Sequence, residues 1–262
     1  MILRSALAAL LLLTGLPAQD AVKPARAMKL FNGKSLDGWY TWLRENRYED
    51  PKKVFTVQNG AIRISGEEWG GLTTKQSYRD YHLIVEWKWG GKVYPPREKN
   101  TRDSGILVHA VGEDGMYNKT WLESIESQII EGGVGDIILV GGKNKPRLTA
   151  AVREEGNQNV WDKKGQPKTM TSGRFNWWGR DPAWQDILGF RGPKDPDNAV
   201  GQWNRQEIFA DGDKLTYVVN GVVVMHAYDS SHTFGKIQIQ SESAEILIRK
   251  VELRPIKKRP SL

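Results

Sequence analysis

Cysteine is absent from the 262 residues of this chain. Its absence excludes a disulfide framework and catalysis by a thiol nucleophile. It also excludes a lipid anchor attached to a cysteine. The folded chain must therefore be stabilised by burial of a hydrophobic core, and a single core can suffice at this size.

Apolar runs of membrane length are absent too. The chain opens with Met1-Ile2-Leu3-Arg4, continues through an apolar stretch from Ala6 to Leu13, and reaches a small-residue segment ending at Ala18. About ten apolar residues are too few to cross a bilayer, which needs roughly 20. This pattern is typical of a secretory signal peptide, and a buried N-terminal helix is the alternative. We predict a signal peptide over residues 1–18, export to the periplasm or the medium, and no membrane insertion.

Charge clusters are scarce although the net charge is +7. Acidic and basic residues alternate along the chain, and the only basic cluster is Lys257-Lys258-Arg259. A short cluster at the end of a chain is typical of a solvated tail, here residues 257–262. We therefore expect no nucleic-acid partner. Tryptophan, by contrast, is abundant: there are 11, and exposed Trp often stacks on ligands.

Helical periodicity is nearly absent, with only a weak turn pattern over residues 182–188. Alternation of apolar and polar residues dominates instead, most clearly over residues 81–89, and indicates half-buried strands. Asn59-Gly60 and Asn220-Gly221 each separate two apolar runs, which predicts two hairpins. Further strands are predicted over residues 105–111, 124–130, 237–240 and 246–253.

Many short strands separated by turns favour an all-β fold, a two-sheet antiparallel β-sandwich or a barrel. We predict the sandwich over residues 29–256, after a flexible lead-in at 19–28. Residues 141–202 break the pattern, being rich in Gly, Pro, Lys, Asn and Trp. Disordered segments are poor in aromatic residues, so we expect an ordered Trp-rich loop region lying over one sheet, with a short strand near residues 147–152.

The most informative segment for chemistry is residues 124–130 (SIESQII). Alternate residues of a strand face opposite sides, so Glu126 and Gln128 share one face while Ile125 and Ile129 share the other. A carboxylate beside an amide on a rigid strand suits a polyhydroxylated ligand, because together they donate and accept hydrogen bonds. An ordinary solvated strand face is the alternative interpretation.

Polar residues of a neighbouring segment strengthen this interpretation. Arg102, Asp103 and Ser104 lead into an apolar strand that carries His109, a side chain able to titrate near neutral pH. If this strand pairs with the strand of Glu126, then Arg102, Asp103 and His109 join Glu126 in one polar cluster. A purely structural histidine is the alternative.

Recognisable metal and nucleophile motifs are missing. His109, Glu131 and Asp136 are candidate ligands of a divalent cation, but their spacing matches no ligand signature. No metal site is therefore assigned; Glu131 is the candidate ligand if a divalent metal is the cofactor. The glycines between 132 and 135 lack the Lys-Ser/Thr of a phosphate-binding loop, and no Gly-x-Ser-x-Gly motif is present.

An ordered series of short segments resembles the 3-keto-disaccharide hydrolase domain family over about residues 28–256. The segments, in chain order, are 30–39 (LFNGKSLDGW), 75–87 after Leu-Thr-Thr, 103–106 (DSGI), 126–129 (ESQI), 201–204 (GQWN), 220–221 (NG), 235–240 (GKIQIQ) and 249–253 (RKVEL). Many family members carry His-Gly after the Gly-x-Ile-x-Leu-Gln strand, where this chain has Ser241-Glu242-Ser243.

The resemblance implies a concanavalin-like or laminarinase-like jelly roll with a concave sugar-binding face. It implies an enzyme, hydrolase or lyase, acting on glycosides oxidised to a ketone at sugar carbon 3, with a carbohydrate as its partner. It also implicates Glu126, Gln128, the turn before Ser104, and the pair Trp203-Asn204. Trp177 is a further candidate for stacking on the sugar.

A ketone at carbon 3 acidifies the hydrogen on carbon 2, so the carbon 1 substituent can leave by elimination, and water can then add. This route needs one base and a group that stabilises the enolate oxygen. The candidates are Glu126 or His109 for the base, and Arg102 or a bound cation for the oxyanion. A non-catalytic carbohydrate-binding module is the alternative function, and a matrix or adhesion domain is the third. The oligomeric state is left open by the sequence.

Overall fold

The structure is a computed structural model that describes residues 21–262 of the chain. The predicted signal peptide lies outside the described residues. Within the described residues there is no helix, and therefore none that is long and apolar enough to cross a membrane. The strands are β1 Met28–Lys29, β2 Trp39–Leu43, β3 Phe55–Gln58, β4 Ala61–Ile64, β5 Gly70–Thr74, β6 Tyr78–Arg79, β7 Tyr81–Val93, β8 Asp103–Val111, β9 Glu123–Ile130, β10 Ile137–Val140, β11 Leu148–Glu155, β12 Gln158–Trp161, β13 Gln166–Met170, β14 Gly173–Phe175, β15 Asn204–Asp211, β16 Lys214–Val219, β17 Val222–Ala227, β18 Phe234–Ser241 and β19 Ala244–Arg254.

These strands form two large antiparallel sheets. Sheet A has the order β17-β16-β15-β7-β19-β4-β3, with β1 added to β19. Sheet B has the order β14-β10-β9-β8-β18-β5-β2, with β6 added to β18. The predicted two-sheet antiparallel sandwich of jelly-roll type is therefore confirmed.

The core lies between the two sheets and follows the alternation of the strands. On β7 the odd-numbered residues face inward, and Trp87 and Trp89 are among the largest fully buried side chains. Ile125 and Ile129 of β9 meet them from sheet B as members of the same hydrophobic cluster. Large aromatic side chains contribute most to such a core, so two sheets suffice without cross-links.

Both predicted hairpins are present, and their turns explain the choice of residues. Asn59 and Gly60 have φ of 50° and 74°, and Asn220 and Gly221 have 47° and 85°. Two successive left-handed residues are typical of the type I′ turn, whose twist matches that of paired strands. The β3–β4 and β16–β17 hairpins form around these turns, with a register shift between Tyr217 and Val218 in the second.

The Trp-rich segment differs from the predicted loop region in its first half. Residues 148–170 form a third sheet with the order β12-β11-β13, and β14 joins the edge of sheet B. The strand expected near residues 147–152 is the start of β11. The segment 176–203 contains no strand, and residues 182–188 form turns. β12, β13 and β14 are only three to five residues long, which is too short for a clear alternation of apolar and polar residues.

Residues 21–28, the expected flexible lead-in, are paired with the sheets at two points. The backbone N–H of Val22 donates to the carbonyl of Ser77 at 2.9 Å, and its carbonyl accepts from Arg79 at 3.1 Å. Met28 pairs with Leu253 at the edge of sheet A. Unpaired strand edges offer free hydrogen-bonding groups, and this segment occupies two of them.

Gly66 packs against Ala244 beside the turn between β18 and β19. This turn carries Glu242. Gly66 has φ of +87°, and a Cβ added there would lie 2.6 Å from the backbone N of Ala244. Gly33 has a similar φ of +81° but open space around it. We expect Gly33→Ala to cost about 1–2 kcal/mol of unfolding free energy, from the left-handed backbone alone. Gly66→Ala should cost several kcal/mol more, because backbone atoms cannot move aside.

Urea unfolding of both variants measures this difference directly. Equal losses of stability for Gly33→Ala and Gly66→Ala would show that the close approach to Ala244 is not a constraint.

Candidate functional site

A row of side chains crosses the outer face of sheet B and forms the floor of the candidate site. Glu126 on β9 pairs with Leu107 on β8 and with Ile138 on β10. The row continues to Gln238 on one side and to Arg174 on the other. Since Ile125 and Ile129 fill the core, Glu126 and Gln128 project outward, as the alternation predicts.

Gly105 leaves space in this floor for two polar side chains. A Cβ on Gly105 would overlap the carboxylate oxygen Oε1 of Glu126 and the amide oxygen Oε1 of Gln240. The two side chains therefore converge above this glycine. The amide oxygen of Gln240 is buried and has no hydrogen-bond partner within residues 21–262, so it is available to a donor on a ligand.

Three carboxyl groups share this face: Asp103, Glu126 and Glu242. Burial, and then the charge of Asp103, raises the pKa of Glu126 well above its usual value. Burial also raises the pKa of Glu242 well above its usual value, with contributions from the charges of Asp103 and Glu126. Burial raises the pKa of Asp103 to about 6, and Arg97 opposes this shift. Like charges in one desolvated site cannot all ionise, so the cluster holds protons at neutral pH.

Cations surround the carboxyl cluster on two sides. Arg97 Nη2 lies 3.3 Å from Asp103 Oδ2 and 3.1 Å from Asp186 Oδ1. Arg174 Nη1 lies 3.0 Å from Asp136 Oδ2, and its charge lowers the pKa of both Asp103 and Glu126. These contacts favour ionisation of Asp103, the carboxyl of the cluster that forms an ion pair with Arg97.

Aromatic rings form a wall beside the cluster. Trp69 and Trp121 stack with centroids 5.7 Å apart, and the partly exposed Tyr117 stacks on Trp121 at 6.1 Å. The guanidinium carbon of Arg44 lies 4.2 Å from the centre of the Trp69 ring. Among the described residues Arg44 forms no ion pair, and its charge acts on Glu242. A flat apolar wall next to unpaired hydrogen-bonding groups is typical of a sugar-binding site.

The structure corrects the expectation that His109 joins Glu126. The β8–β9 pairing does form, but its register shifts between Val108 and Val111, and His109 has φ of 52°. This bulge turns the ring into the core, where it meets Tyr81 edge-on at 5.7 Å. His109 Nδ1 lies 2.8 Å from the carbonyl oxygen of His232, and burial lowers the pKa of His109 to about 4.

Arg102 and Glu131 contact each other and are not part of the carboxyl cluster. Arg102 Nη1 lies 2.6 Å from Glu131 Oε1, while the backbone N–H groups of Arg102 and Gly189 donate to Glu131 Oε2. Glu131 thus fastens the segment near residue 189 to sheet B. Over residues 21–262 no three His, Asp or Glu side chains are arranged to hold a metal ion, and the divalent-metal cofactor stays a prediction.

The remaining predicted binding residues are separated by the fold. Gln128 lies on the site face, with its amide oxygen accepting from the N–H of Ile129. Ser104 donates to the backbone carbonyl of Gln240 from the opposite face of β8. Trp177 is fully buried in the core. Trp203 lies between Lys88 and Arg249 on the outer face of sheet A. Asn204 is buried, and its side-chain oxygen accepts hydrogen bonds from Asn198 and Asn220.

The site also contains residues that the sequence patterns did not single out. Gln240 lies in the predicted strand 237–240, and its outward direction follows from Ile237 and Ile239 facing the core. Glu242 occupies the position where the sequence departs from the His-Gly of many family members, which was the available signal. No sequence pattern indicated the remaining site residues, which are Arg44, Trp69, Arg97, Trp121 and Arg174.

Solved structures of other proteins share the fold of this chain. Two crystal structures of candidate glycosyl hydrolases from Parabacteroides distasonis each superpose with a TM-score of 0.51. The first is 18% identical and covers 88% of this chain and 94% of its own. The second is 17% identical and covers 87% and 98%. A beta-glucanase from Bacillus licheniformis gives a TM-score of 0.47 at 12% identity, covering 90% and 99%. A search of curated proteins finds no match.

A jelly-roll sandwich whose outer face carries buried carboxyls beside aromatic rings is typical of proteins that bind or act on carbohydrates. The family model of the 3-keto-alpha-glucoside-1,2-lyase-like domain matches residues 26–254. The chain therefore belongs to that family, as the resemblance implied.

Replacement of Glu126 tests the electrostatics of the cluster. A carboxyl whose pKa is raised by folding stabilises the native state only while it is protonated, so its contribution is lost as pH rises above the unfolded value. Gln cannot ionise, and we expect Glu126→Gln to lose less stability than the wild type as pH rises from 4 to 8. The two proteins should converge at pH 4.

Thermal unfolding between pH 4 and pH 8 measures this difference. A stability difference that does not change with pH would contradict a raised pKa at Glu126. The exposed strand residue Glu154 provides a matched control, because Glu154→Gln removes a carboxylate outside the cluster.

Proposed function

We propose that this protein cleaves glycosides of 3-keto-glucose by removing the proton on carbon 2 and expelling the substituent on carbon 1. The cluster of buried Asp103 and Glu126 with half-buried Glu242 carries the proposal, because it combines an ionised carboxylate with a proton donor in one desolvated site. Family membership supports the substrate class. Export through residues 1–18 is part of the same proposal and rests on the sequence alone.

The pKa values of Asp103 and Glu126 suggest which of the two carboxyls is the base and which is the acid. Asp103, with a pKa of about 6, is ionised at neutral pH and is the proposed base. Glu126 retains its proton and is the proposed acid. Glu126 is therefore not the base that the sequence suggested, since a carboxyl with a strongly raised pKa holds its proton at neutral pH and can donate it.

The elimination follows from these roles. The C2–H bond breaks, its proton passes to the Asp103 carboxylate, and its electrons form the enolate whose charge lies on oxygen 3. The enolate then collapses, a C1–C2 double bond forms, and the C1–O bond breaks as Glu126 protonates the leaving oxygen. Addition of water across the double bond would complete a net hydrolysis.

Residues around the cluster can stabilise the enolate oxygen and hold the sugar ring. Arg44, held over Trp69 and without an ion-pair partner in the described part of the chain, is the proposed cation for the enolate oxygen. Trp69 is the partly exposed ring of the pair, and the sugar ring can pack against it. Gln240 offers its free amide oxygen to a sugar hydroxyl.

The role of Glu126 is tested with two substrates that differ in leaving group. With methyl 3-keto-α-glucoside, Glu126→Gln should lower kcat/KM by at least about 100-fold, because methoxide leaves poorly without a proton. With the p-nitrophenyl analogue the loss should be at most about tenfold, since nitrophenolate needs no proton. Release of methanol and of nitrophenol measures the two rates.

Three other results of that experiment would contradict the proposed role of Glu126 or the proposed activity. Near-normal turnover of the methyl glycoside would exclude Glu126 as an essential group, and equal large losses would assign it to the base. Binding of the methyl glycoside by the wild type without release of methanol would favour the carbohydrate-binding module.

The pH dependence tests Asp103 independently. The wild-type kcat/KM should rise as pH increases through about 6, where Asp103 loses its proton in the free enzyme. Asp103→Asn should lose this ascending limb together with at least about 100-fold of activity, whereas Asp103→Glu should retain a limb. An unchanged limb in Asp103→Asn would assign the base to another group.

A further inference from the structure

The basic segment at residues 257–259, which the sequence predicts as part of a solvated tail, is fastened to sheet A. Arg259 forms an ion pair with Asp211, the last residue of β15. Lys257 and Lys258 then line a cavity together with residues 25–27, which precede β1. Since β1 pairs with β19, the segments before β1 and after β19 form opposite walls of one site.

Three residues in register form the floor of this cavity. Phe209, His82 and Arg254 lie opposite one another on the adjacent strands β15, β7 and β19. Tyr81 and Leu83, the neighbours of His82 along β7, are buried in the core, so the row faces outward from sheet A. The rings of His82 and Phe209 stack with their centroids 4.0 Å apart. The carboxyl cluster lies on sheet B, so this cavity is a separate site.

The lining of the cavity is cationic. Its volume is about 540 Å³, within the usual range for a ligand site. No acidic residue is among the described residues that line it, whereas four cationic side chains do so, namely Arg26, Arg254, Lys257 and Lys258. Cations gathered around one concave surface raise the local concentration of anions, so the cavity favours a negatively charged ligand.

Most of these cations have no carboxylate partner. Glu207 lies on the same face of sheet A, but its Oε2 is 2.7 Å from His82 Nε2. Glu252 lies there too, and its Oε1 is 2.5 Å from Arg254 Nε. Within residues 21–262 no ion pair neutralises the three remaining cations of the lining, which are Arg26, Lys257 and Lys258.

We propose that this cavity binds an acidic polysaccharide through its uronate carboxylates, as a non-catalytic site on the opposite side of the sandwich from Glu126. The carboxylates would pair with the free cations. The apolar C–H groups of the sugar rings would pack on the small side chains of the walls, which are those of Ala25, Ala27 and Pro255.

The aromatic pair at the floor favours a polysaccharide over a single-stranded nucleic acid. Bases bind such sites by stacking on a free aromatic face. Phe209 is only 9% exposed, and one of its faces is covered by His82. The site would therefore hold the protein on an acidic glycan, while the carboxyl cluster stays open to its own substrate.

Binding of polygalacturonate to the whole protein, measured by calorimetry, tests the inference. The wild type should bind at about 0.01 M NaCl and lose most of its affinity at about 0.15 M, because the Debye length falls from about 30 Å to about 8 Å. The double variant Lys257→Gln/Lys258→Gln should raise Kd by about tenfold, and Arg26→Gln on the other wall by about threefold. The neutral polysaccharide pullulan should not bind.

A matched control separates the cavity from the net charge of the protein. Lys163 and Lys164 are exposed lysines outside the cavity, so Lys163→Gln/Lys164→Gln removes the same number of charges. Its Kd for polygalacturonate should stay within about twofold of the wild-type value. Thermal unfolding of all variants should match the wild type, since each replaced side chain is exposed.

Four results would overturn the inference. They are no binding of polygalacturonate at low salt, equal binding of pullulan, equal increases of Kd in the two double variants, and an unchanged Kd in both cavity variants. Oligothymidylate that binds more tightly than polygalacturonate and is weakened by Lys257→Gln/Lys258→Gln would assign the cavity to nucleic acid instead. Only binding is measured, so the result does not depend on the proposed function.

Discussion

The position of β9 between β8 and β10 is the constraint on which the candidate site depends. Its register places Glu126 opposite Leu107 and Ile138, and turns Ile125 toward the core. A slip of one residue would exchange the two faces, burying the carboxyl between the sheets and exposing isoleucine. The hydrophobic core therefore fixes the direction of the polar side chains, and the same packing that stabilises the sandwich orients the site.

The carboxyl cluster opposes the stability that this core provides. Asp103, Glu126 and Glu242 all have raised pKa values, and burial is the first cause in each case. Groups that would be more stable in water persist at such positions only because the surrounding sheet holds them. Perturbed titration of this kind is common at functional sites, where a proton must be held or transferred near neutral pH.

The Trp-rich segment acts on the site from outside the two main sheets. Asp136 accepts from the backbone N–H of Trp177 and pairs with Arg174 and Arg180, while Glu131 binds Arg102 and the N–H of Gly189. Two carboxylates at the end of β9 and the start of β10 therefore fasten this segment against the site. Glu131 and Asp136, which the sequence suggested as cation ligands, both form ion pairs with arginines.

The sequence by itself determined the sandwich, its two Asn-Gly hairpins and the outward direction of Glu126, because alternation and turn chemistry are local properties of the chain. Only the tertiary structure decided which polar residues meet Glu126. A bulge of β8 turned His109 into the core, and strand order brought Glu242 to the cluster while leaving Trp203 on the other sheet. Bulges and strand order depend on contacts between distant segments, which no local pattern encodes.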